Sequence, residues 1–362
     1  MRRWLWILCA AVFWGIGLWQ WHSLLPLGGQ VFLDFGDDSG VTARELAQME
    51  ERGREAGEGL PGLAAWSVER EVQVENAGLG RVCDADCMRV YGDREAALSG
   101  GLVGGNYGCR SDRETCVISR GLAYTLFGSD EVLGKYVKCR GKAYAVRGII
   151  RDDSRMIVLP ADETDGAGVA EATGKAEVLR YLLLDFGGPG QREAGGEAAR
   201  QLLSAHGLGN PRYLVDGTLG PAAAGFFLLL PVAAVLGRGL WMARREAWPV
   251  RVLCVFAAIL ATALAVWFLG GAGTRFPEEL LPSRWSDFDF WTRRWQELVP
   301  ALRFAGELGR PRWIWLFRCR CAAGAAASLG AVLAVFQIPV RGGRLNKNRV
   351  TDCKRNVIDT TL

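Results

Sequence analysis

Residues 225–237 read GFFLLLPVAAVLG and residues 254–271 read CVFAAILATALAVWFLGG, two runs of almost pure aliphatic and aromatic side chains. Each lies within one of four stretches that contain no Asp, Glu, Lys or Arg: residues 4–33, 217–237, 252–274 and 321–340. A helix rises about 1.5 Å per residue, so roughly 20 apolar residues cross a hydrocarbon layer about 30 Å thick. The pattern predicts four transmembrane helices rather than buried core helices.

The first stretch follows Arg2 and Arg3, as the apolar run of a secretory signal peptide would. It is longer than a usual signal core, and no A-x-A-like cleavage site follows it. Tryptophans stand at both of its ends, where interfacial anchors are expected: Trp4, Trp6, Trp19 and Trp21. We therefore expect residues 1–27 to form a retained transmembrane helix with a short cytoplasmic N-terminus.

The Lys and Arg residues predict the orientation. They stand before helix 1, in the link 238–251 and in the tail 341–362, and such segments usually face the cytoplasm. Residues 34–216 carry 22 basic and 30 acidic side chains, a net charge of −8, so the overall +4 arises from +12 in the remainder. The interval 28–216 is thus expected on the outer side, in a cell membrane protein with both termini cytoplasmic.

This topology places a large extracytoplasmic domain (28–216) between transmembrane helix 1 and a three-helix bundle (217–340). Within the bundle, the segment 275–320 returns to the outer side and holds aromatic residues among charges. Ser286 with Asp289 resembles a helix start there. Two interpretations remain open, a helix lying in the headgroup region or a cap packed under the large domain.

Local signals in residues 28–216 predict a mixed α+β domain. Thr42-Ala-Arg-Glu45 matches a capping box that opens a helix to about Arg54. Strands are predicted at 63–74, 87–91, 156–159, 179–186 and 213–215, with a helix at 192–205. The clearest unit is a short strand from Cys116, Ser119 as N-cap, the helix RGLAYTLF, Gly128, and a hairpin turning at Arg140-Gly141-Lys142.

Five of the ten cysteines fall in the predicted outer domain, an odd number in a compartment that permits disulfides. The candidates for pairing are Cys83, Cys87, Cys109 and Cys116, with Cys139 as the fifth. The spacing Cys83-Asp-Ala-Asp-Cys87 leaves a metal clamp, a disulfide and two separate thiols open. Because no further ligand lies nearby in the sequence, we favour the disulfide or the thiols.

Motifs for catalysis are missing from the sequence. It has no G-x-x-x-x-G-K-[ST] loop, no G-x-S-x-G elbow and no H-E-x-x-H pair, so we predict no catalytic, cofactor or metal site, no enzyme activity and no nucleic-acid partner. The predicted membrane helices also lack the mid-membrane charges that ion-coupled carriers usually hold. They are expected to transmit motion or hold the outer domain rather than to line a pore.

Residues 116–152, CVISRGLAYTLFGSDEVLGKYVKCRGKAYAVRGIIRD, resemble the periplasmic core domain of MacB-like ABC transporter permeases. In that family a strand, a helix ending in an aromatic-Gly pair, a G-K and a hairpin ending in V-x-G-[IV] follow one another. The matching positions are Ile118 and Ser119, Leu126 to Gly128, Gly134 with Lys135, and Val146 to Ile149. One helix, an outer domain and three further FtsX-like helices are also the family topology.

The resemblance implies a non-catalytic permease subunit that relays ATP-driven motion from a separate ABC ATPase to the outer domain, for export or mechanotransmission. It also implies a second permease copy or a paralogue within the lipid bilayer. The expected ATPase-coupling segment is Leu240, Trp241, Arg244, Arg245 and Trp248, although charges beside a bilayer explain the arginines equally well. A membrane-anchored receptor or sensor without an ATPase is the alternative.

Overall fold

The computed structural model describes residues 2–36, 39–57, 59–98, 101–108, 112–161, 178–187, 195–243 and 312–338, together with residues 248, 252, 256, 289–293, 295–296 and 299–300. The helices are α1 (Arg2–Leu24), α2 (Ala43–Ala56), α3 (Arg94–Ala97), α4 (Arg120–Phe127), α5 (Gly196–Ala205), α6 (Leu219–Ala243) and α7 (Arg312–Gln337). The strands are β1 (Gln30–Asp34), β2 (Gly62–Asn76), β3 (Arg81–Gly92), β4 (Leu102–Gly105), β5 (Thr115–Ser119), β6 (Tyr136–Cys139), β7 (Lys142–Ile150), β8 (Met156–Pro160), β9 (Tyr181–Asp185) and β10 (Tyr213–Asp216).

Three of the described helices are long and apolar enough to cross a membrane: α1 with the short 3-10 turn after it (Trp4–Gly29), α6 (Leu219–Trp241) and α7 (Trp315–Gln337). The predicted helix at 252–274 lies outside the described residues, except that Val252 and Phe256 are helical. Helix α7 begins at Arg312, ahead of the uncharged stretch that starts at 321. Arg320, in the N-terminal part of α7, donates a hydrogen bond to a neutral partner on α1, the Gln20 side chain.

The α+β domain (residues 30–216) is built on one long sheet in the order β10-β1-β9-β2-β3-β8-β5-β7-β4. Strand β6 pairs with both β2 and β7. The six strands β2, β3, β8, β5, β7 and β6 therefore close into a small barrel, while β10, β1 and β9 extend from β2 as an open sheet. The prediction of a mixed α+β domain is confirmed.

Strand β2 belongs to both parts because it bends in its middle. Its first residues pair with β9, whereas Val74 and Glu75 pair with β6. Between these two regions the register against β3 shifts from Glu69 to Val72, and Glu71 has a φ of 59°. Such a bulge bends a strand and increases its twist, which here directs β2 from the open sheet into the barrel.

The open sheet is covered on both faces by apolar side chains. Along β1, Val31 and Leu33 face one side and Phe32 faces the other, as a period of two requires. The first side packs against α2 and α5 through Leu46 and Leu203. Helix α2 starts as predicted, because the Thr42 hydroxyl accepts from the Glu45 N–H while the Glu45 carboxylate accepts from the Thr42 N–H. The second side faces the membrane helices.

The unit that carries the family resemblance is organised around one hydroxyl. Ser119 is fully buried, and its Oγ accepts hydrogen bonds from the backbone N–H of Leu122 (3.2 Å) and of Met156 (2.9 Å). The same hydroxyl donates to the carbonyl oxygen of Ser154. One side chain thus joins the end of β5, the first turn of α4 and the start of β8.

Gly121 allows the loop 152–155 to lie close to Ser119. A Cβ atom on Gly121 would lie 2.1 Å from the carbonyl oxygen of Asp153, so the loop 152–155 could not reach Ser119 past a larger residue. Gly128 ends α4 in the left-handed conformation, and Arg140 with Gly141 form the predicted hairpin turn with φ values of 52° and 80°. The predicted strand-helix-hairpin unit is confirmed.

Replacing Ser119 by Ala is expected to lower the free energy of unfolding by about 2 kcal/mol, because α4 loses its cap and two buried N–H groups lose their acceptor. The apparent Tm of the full chain in mild detergent should fall by about 4–8 °C. Thr125→Ala, at an exposed position of the same helix, is the control and should change stability by about 0.5 kcal/mol or less. Equal Tm values for the two variants would contradict this role of Ser119.

Candidate functional site

Two direct connections join the α+β domain to the membrane helices. Helix α1 runs through the short 3-10 turn Leu25–Gly29 into β1, and β10 runs through Gly217 and Thr218 into α6. The two strands are antiparallel neighbours, with Val31 opposite Asp216. We call residues 25–31 and 213–220, with the side chains packed on them, the junction.

Backbone contacts hold the junction closed. The N–H of Gly217 donates to the carbonyl oxygen of Gln30 (2.8 Å), and the N–H of Phe186 donates to that of Gly29 (3.0 Å). A Cβ atom on Gly217 would lie 2.1 Å from the carbonyl oxygen of Leu27 and 2.4 Å from that of Gln30. The two crossing segments are therefore in contact at the place where the chain passes between domain and membrane helices.

A buried carboxylate ties the membrane helix to the domain. Asp216 accepts from the N–H of Thr218 through Oδ1 (2.8 Å) and from the N–H of Gly196 through Oδ2 (2.9 Å). Thr218 precedes α6, and Gly196 is the first residue of α5. A carboxylate is favourable at a helix N-terminus, where backbone N–H groups lack internal partners. Asp216 thereby links the start of α6 to the domain helix α5.

A continuous apolar cluster fills the space between the sheet and the helices. Phe32, Trp66 and Tyr181 form an aromatic trio with ring centroids 5.8 to 6.0 Å apart. The same cluster contains Trp21 and Leu24 of α1, Ala97 and Leu98 at α3, Ala224 and Leu228 of α6, and Phe317 of α7. Removing the domain side chains of this cluster from water contributes about 1.5–3 kcal/mol each, and the helix side chains pack against the same cluster.

The three described membrane helices meet through small residues. A Cβ atom on Gly17 of α1 would lie 2.9 Å from the Leu228 side chain of α6 and 3.4 Å from the Ser328 hydroxyl of α7. Ala331, one turn further along α7, is also buried. Small side chains let helix backbones approach closely in a membrane. Trp14 adds a hydrogen bond from Nε1 to the carbonyl oxygen of Leu228 (3.3 Å).

A polar contact closes the α1–α7 seam at the end nearest the α+β domain. Arg320 donates from Nη1 to Oε1 of Gln20 (3.0 Å), and its guanidinium carbon lies 5.0 Å from the centre of the Trp19 ring. Gln20 is buried. The arginine charge is thus held between an amide and an aromatic face, which allows α7 to carry it within a candidate membrane span.

The opposite ends of α6 and α7 are joined by Arg238, which donates to the carbonyl oxygens of Phe336 (3.1 Å) and Ile338 at the end of α7. Helix α6 continues beyond this contact through Leu240 and Trp241, so the expected coupling segment begins as an extension of a membrane helix. The Trp241 side chain is 53% exposed and that of Trp248 is 74% exposed. Arg244 and Arg245 lie outside the described residues.

The four cysteines named as candidates for pairing have separate surroundings. Cys87 and Cys116 point into the barrel, Cys83 is half-buried near the start of β3 at the edge of the same cluster, and Cys109 lies outside the described residues. Among the described residues no disulfide joins Cys83, Cys87 and Cys116 to one another, and pairing among the four stays a prediction. Within the part of the chain that the structure describes, His, Cys, Asp and Glu side chains form no group that could hold a metal ion.

Sequence reasoning found Ser119 but not Asp216 or Gly217, which hold the junction. The available signal was an Asp-Gly pair placed directly between a predicted strand and an apolar helix. Such a pair usually marks a hairpin turn. Its role in joining α5, α6 and β1 depends on tertiary contacts that the local sequence does not encode.

No family model and no curated relative matches this chain. Among solved structures, it is similar to the extracellular domain of a noncanonical ABC-type transporter, YknZ, from Gram-positive bacteria, with 16% identity, a TM-score of 0.36, and coverage of 50% of this chain and 95% of that one. It is also similar to the periplasmic region of MacB from Actinobacillus actinomycetemcomitans, with 10% identity, a TM-score of 0.40, and coverage of 54% and 91%.

We expect Gly217→Ala to open the junction, because the added methyl group must push β10 away from the 3-10 turn. The free energy of unfolding should fall by about 1–3 kcal/mol, measured as a lower apparent Tm of the full chain followed by tryptophan fluorescence. Gly209→Ala is the matched control, since a Cβ atom there meets open space. Equal apparent Tm values for the two variants would show that the close contact at Gly217 does not contribute to stability.

Proposed function

We propose that this chain is the non-catalytic permease subunit of a MacB-like ABC system, which relays ATP-driven motion to its α+β domain. The observation that carries the proposal is the junction, where α1 and α6 pass into the adjacent strands β1 and β10 through only a 3-10 turn and two residues. A movement of either helix must therefore displace the sheet. The resemblance of residues 116–152 to MacB-like permeases indicates the type of transporter.

The described membrane helices support a mechanical role. From Cys321 to Gln337, α7 has no charged residue, and α1 has none after Arg3. Their central contacts involve Gly17, Leu228 and Ser328, which pack the seam tightly. A path for polar cargo would need polar side chains facing a cavity at this level. We therefore propose that these helices transmit motion to the α+β domain rather than conduct polar cargo.

Orientation follows from charge. The first residues of α1 and the segment after α6 carry arginines, and the α+β domain carries the net charge of −8. We propose that the ends of α6 and α7 joined by Arg238 face the cytoplasm and that the domain lies outside. A cytoplasmic ATPase would then meet the exposed Trp241 and Trp248 where α6 and α7 are already held together.

A second permease copy or a paralogue completes the proposal. Large apolar side chains on α6 and α7 face away from the described part of the chain, among them Phe226 (62% exposed), Leu333 (66%) and Phe336 (59%). In a bilayer they would contact lipid, the predicted helix at 252–274 or another permease. Two permeases around paired ATPases would allow nucleotide-driven closure to move both outer domains.

The proposal predicts that an ABC ATPase co-purifies with the tagged full chain in mild detergent, identified by mass spectrometry and by ATP hydrolysis of the complex. Replacing Trp241, Arg244 and Arg245 together by Ala should abolish this capture, because the contact loses its apolar anchor and both charges. Trp295→Ala removes an exposed tryptophan from the segment 275–320, which is expected on the outer side, and should leave capture of the ATPase unchanged. Absence of any ATPase, or full capture by the triple variant, would favour a receptor or sensor instead.

A further inference from the structure

Three cysteine side chains fill the inside of the barrel. Cys87 lies on β3, Cys116 on β5 and Cys139 on β6, and all three belong to one apolar cluster with Val74, Ile118 and Val146 among its members. Their exposed fractions are 1%, 0% and 1%. Three thiols are thus enclosed together in a domain that the proposed function places in an oxidising compartment.

The order of strands around the barrel separates their backbones. Strand β2 lies between β3 and β6, β7 lies between β6 and β5, and β8 lies between β5 and β3. The three cysteines therefore occupy alternate strands. Neighbouring strands are about 4.8 Å apart, so alternate strands are separated by roughly 9 Å, whereas a disulfide rarely joins Cα atoms more than about 7 Å apart.

The side chains nevertheless meet at the centre. The Cys87 thiol hydrogen-bonds to Cys139, which lowers the pKa of the Cys139 thiol against the opposing effect of burial, and Arg89 acts in the same direction. Burial raises the pKa of the Cys116 thiol far above its ordinary value, so Cys116 stays protonated. The Cys139 thiol is thus more acidic than that of Cys116, and a more acidic thiol is more readily oxidised unless oxidants are excluded.

We infer that the closed barrel keeps Cys87, Cys116 and Cys139 as thiols in an oxidising compartment, by holding their backbones on alternate strands and excluding oxidants from its centre. The inference takes only the oxidising compartment from the proposed function. The separation of the three cysteines and their burial are properties of the barrel itself. Of the four cysteines named from the sequence, it leaves Cys83 and Cys109 for pairing.

The purified full chain, folded in mild detergent, provides the first test. After treatment with diamide, the chain is unfolded in urea and alkylated without a reductant, and each cysteine peptide is examined by mass spectrometry. All three barrel cysteines should carry the alkyl group added after unfolding. In a sample treated with diamide while unfolded, they should be oxidised. A linked or diamide-modified barrel cysteine in the folded sample would overturn the inference.

Cys83 supplies an internal reference because it is half-buried on the same strand as Cys87. Maleimide should alkylate Cys83 in the folded chain on the order of 100-fold faster than Cys116, since Cys116 reacts only when the barrel opens. Comparable rates would show that the barrel does not seal its interior and would contradict the inference.

An added cysteine tests two points together: whether strand separation prevents disulfides in the barrel, and whether the domain lies in an oxidising compartment. Val74 lies directly opposite Cys139 on the neighbouring strand and opposite Cys83 on its other side, so Val74→Cys creates pairs that can be bridged as the strands pair during folding, before the barrel closes. In chain isolated from cells with alkylating agent present, this variant should contain a disulfide at residue 74, whereas the unchanged barrel cysteines should remain thiols. A natural disulfide among Cys87, Cys116 and Cys139 in the cell sample would overturn the inference.

The outcomes separate the two proposals. If Val74→Cys forms no disulfide in cells but forms one when the purified, unfolded chain refolds with diamide present, the domain is not in an oxidising compartment and the proposed location fails. The thiol inference would still stand on the diamide result for the unchanged chain. If the unchanged chain forms a barrel disulfide with diamide, the inference fails whatever the location.

Discussion

The pairing of β1 with β10 is the constraint on which the rest of the structure depends. These two strands are continuous with α1 and α6, and their register brings Val31 opposite Asp216 just before the chain reaches the helices. Because both crossings lie side by side, the backbone hydrogen bond from Gly217 to Gln30 joins them directly, and the carboxylate of Asp216 ties the start of α6 to α5. A connection through flexible linkers would allow the helices to move without displacing the domain.

The barrel extends from the same sheet through the bulge in β2. The register shift between Glu69 and Val72 lets one strand serve two partners, β9 beside the junction and β6 in the barrel. Ser119 and Gly121 then fix α4 and the β8 loop against the barrel wall. A displacement at the junction therefore has a continuous hydrogen-bonded path through β2 to the far end of the domain.

Much of this fold could be predicted because its signals are local. The capping box at Thr42, the N-cap at Ser119 and the turn at Arg140-Gly141 each depend on a few neighbouring residues, and each is confirmed. Apolar stretches likewise predicted α1, α6 and α7. Barrel closure could not be predicted, because it depends on β6 meeting β2 across about sixty residues of sequence. The junction was missed for the same reason, since Gly217 matters through the carbonyl groups of Leu27 and Gln30.

The central claim is that the helices and the α+β domain move as one body through the junction. Pulsed dipolar spectroscopy on the full chain in lipid nanodiscs measures this directly, with spin labels on noncanonical residues at Glu55 of α2 and Val235 of α6, both exposed. Labels of this kind leave the ten native cysteines in place. The account predicts a single narrow distance distribution, whereas a broad distribution would show that the domain swings independently of the helices and would contradict it.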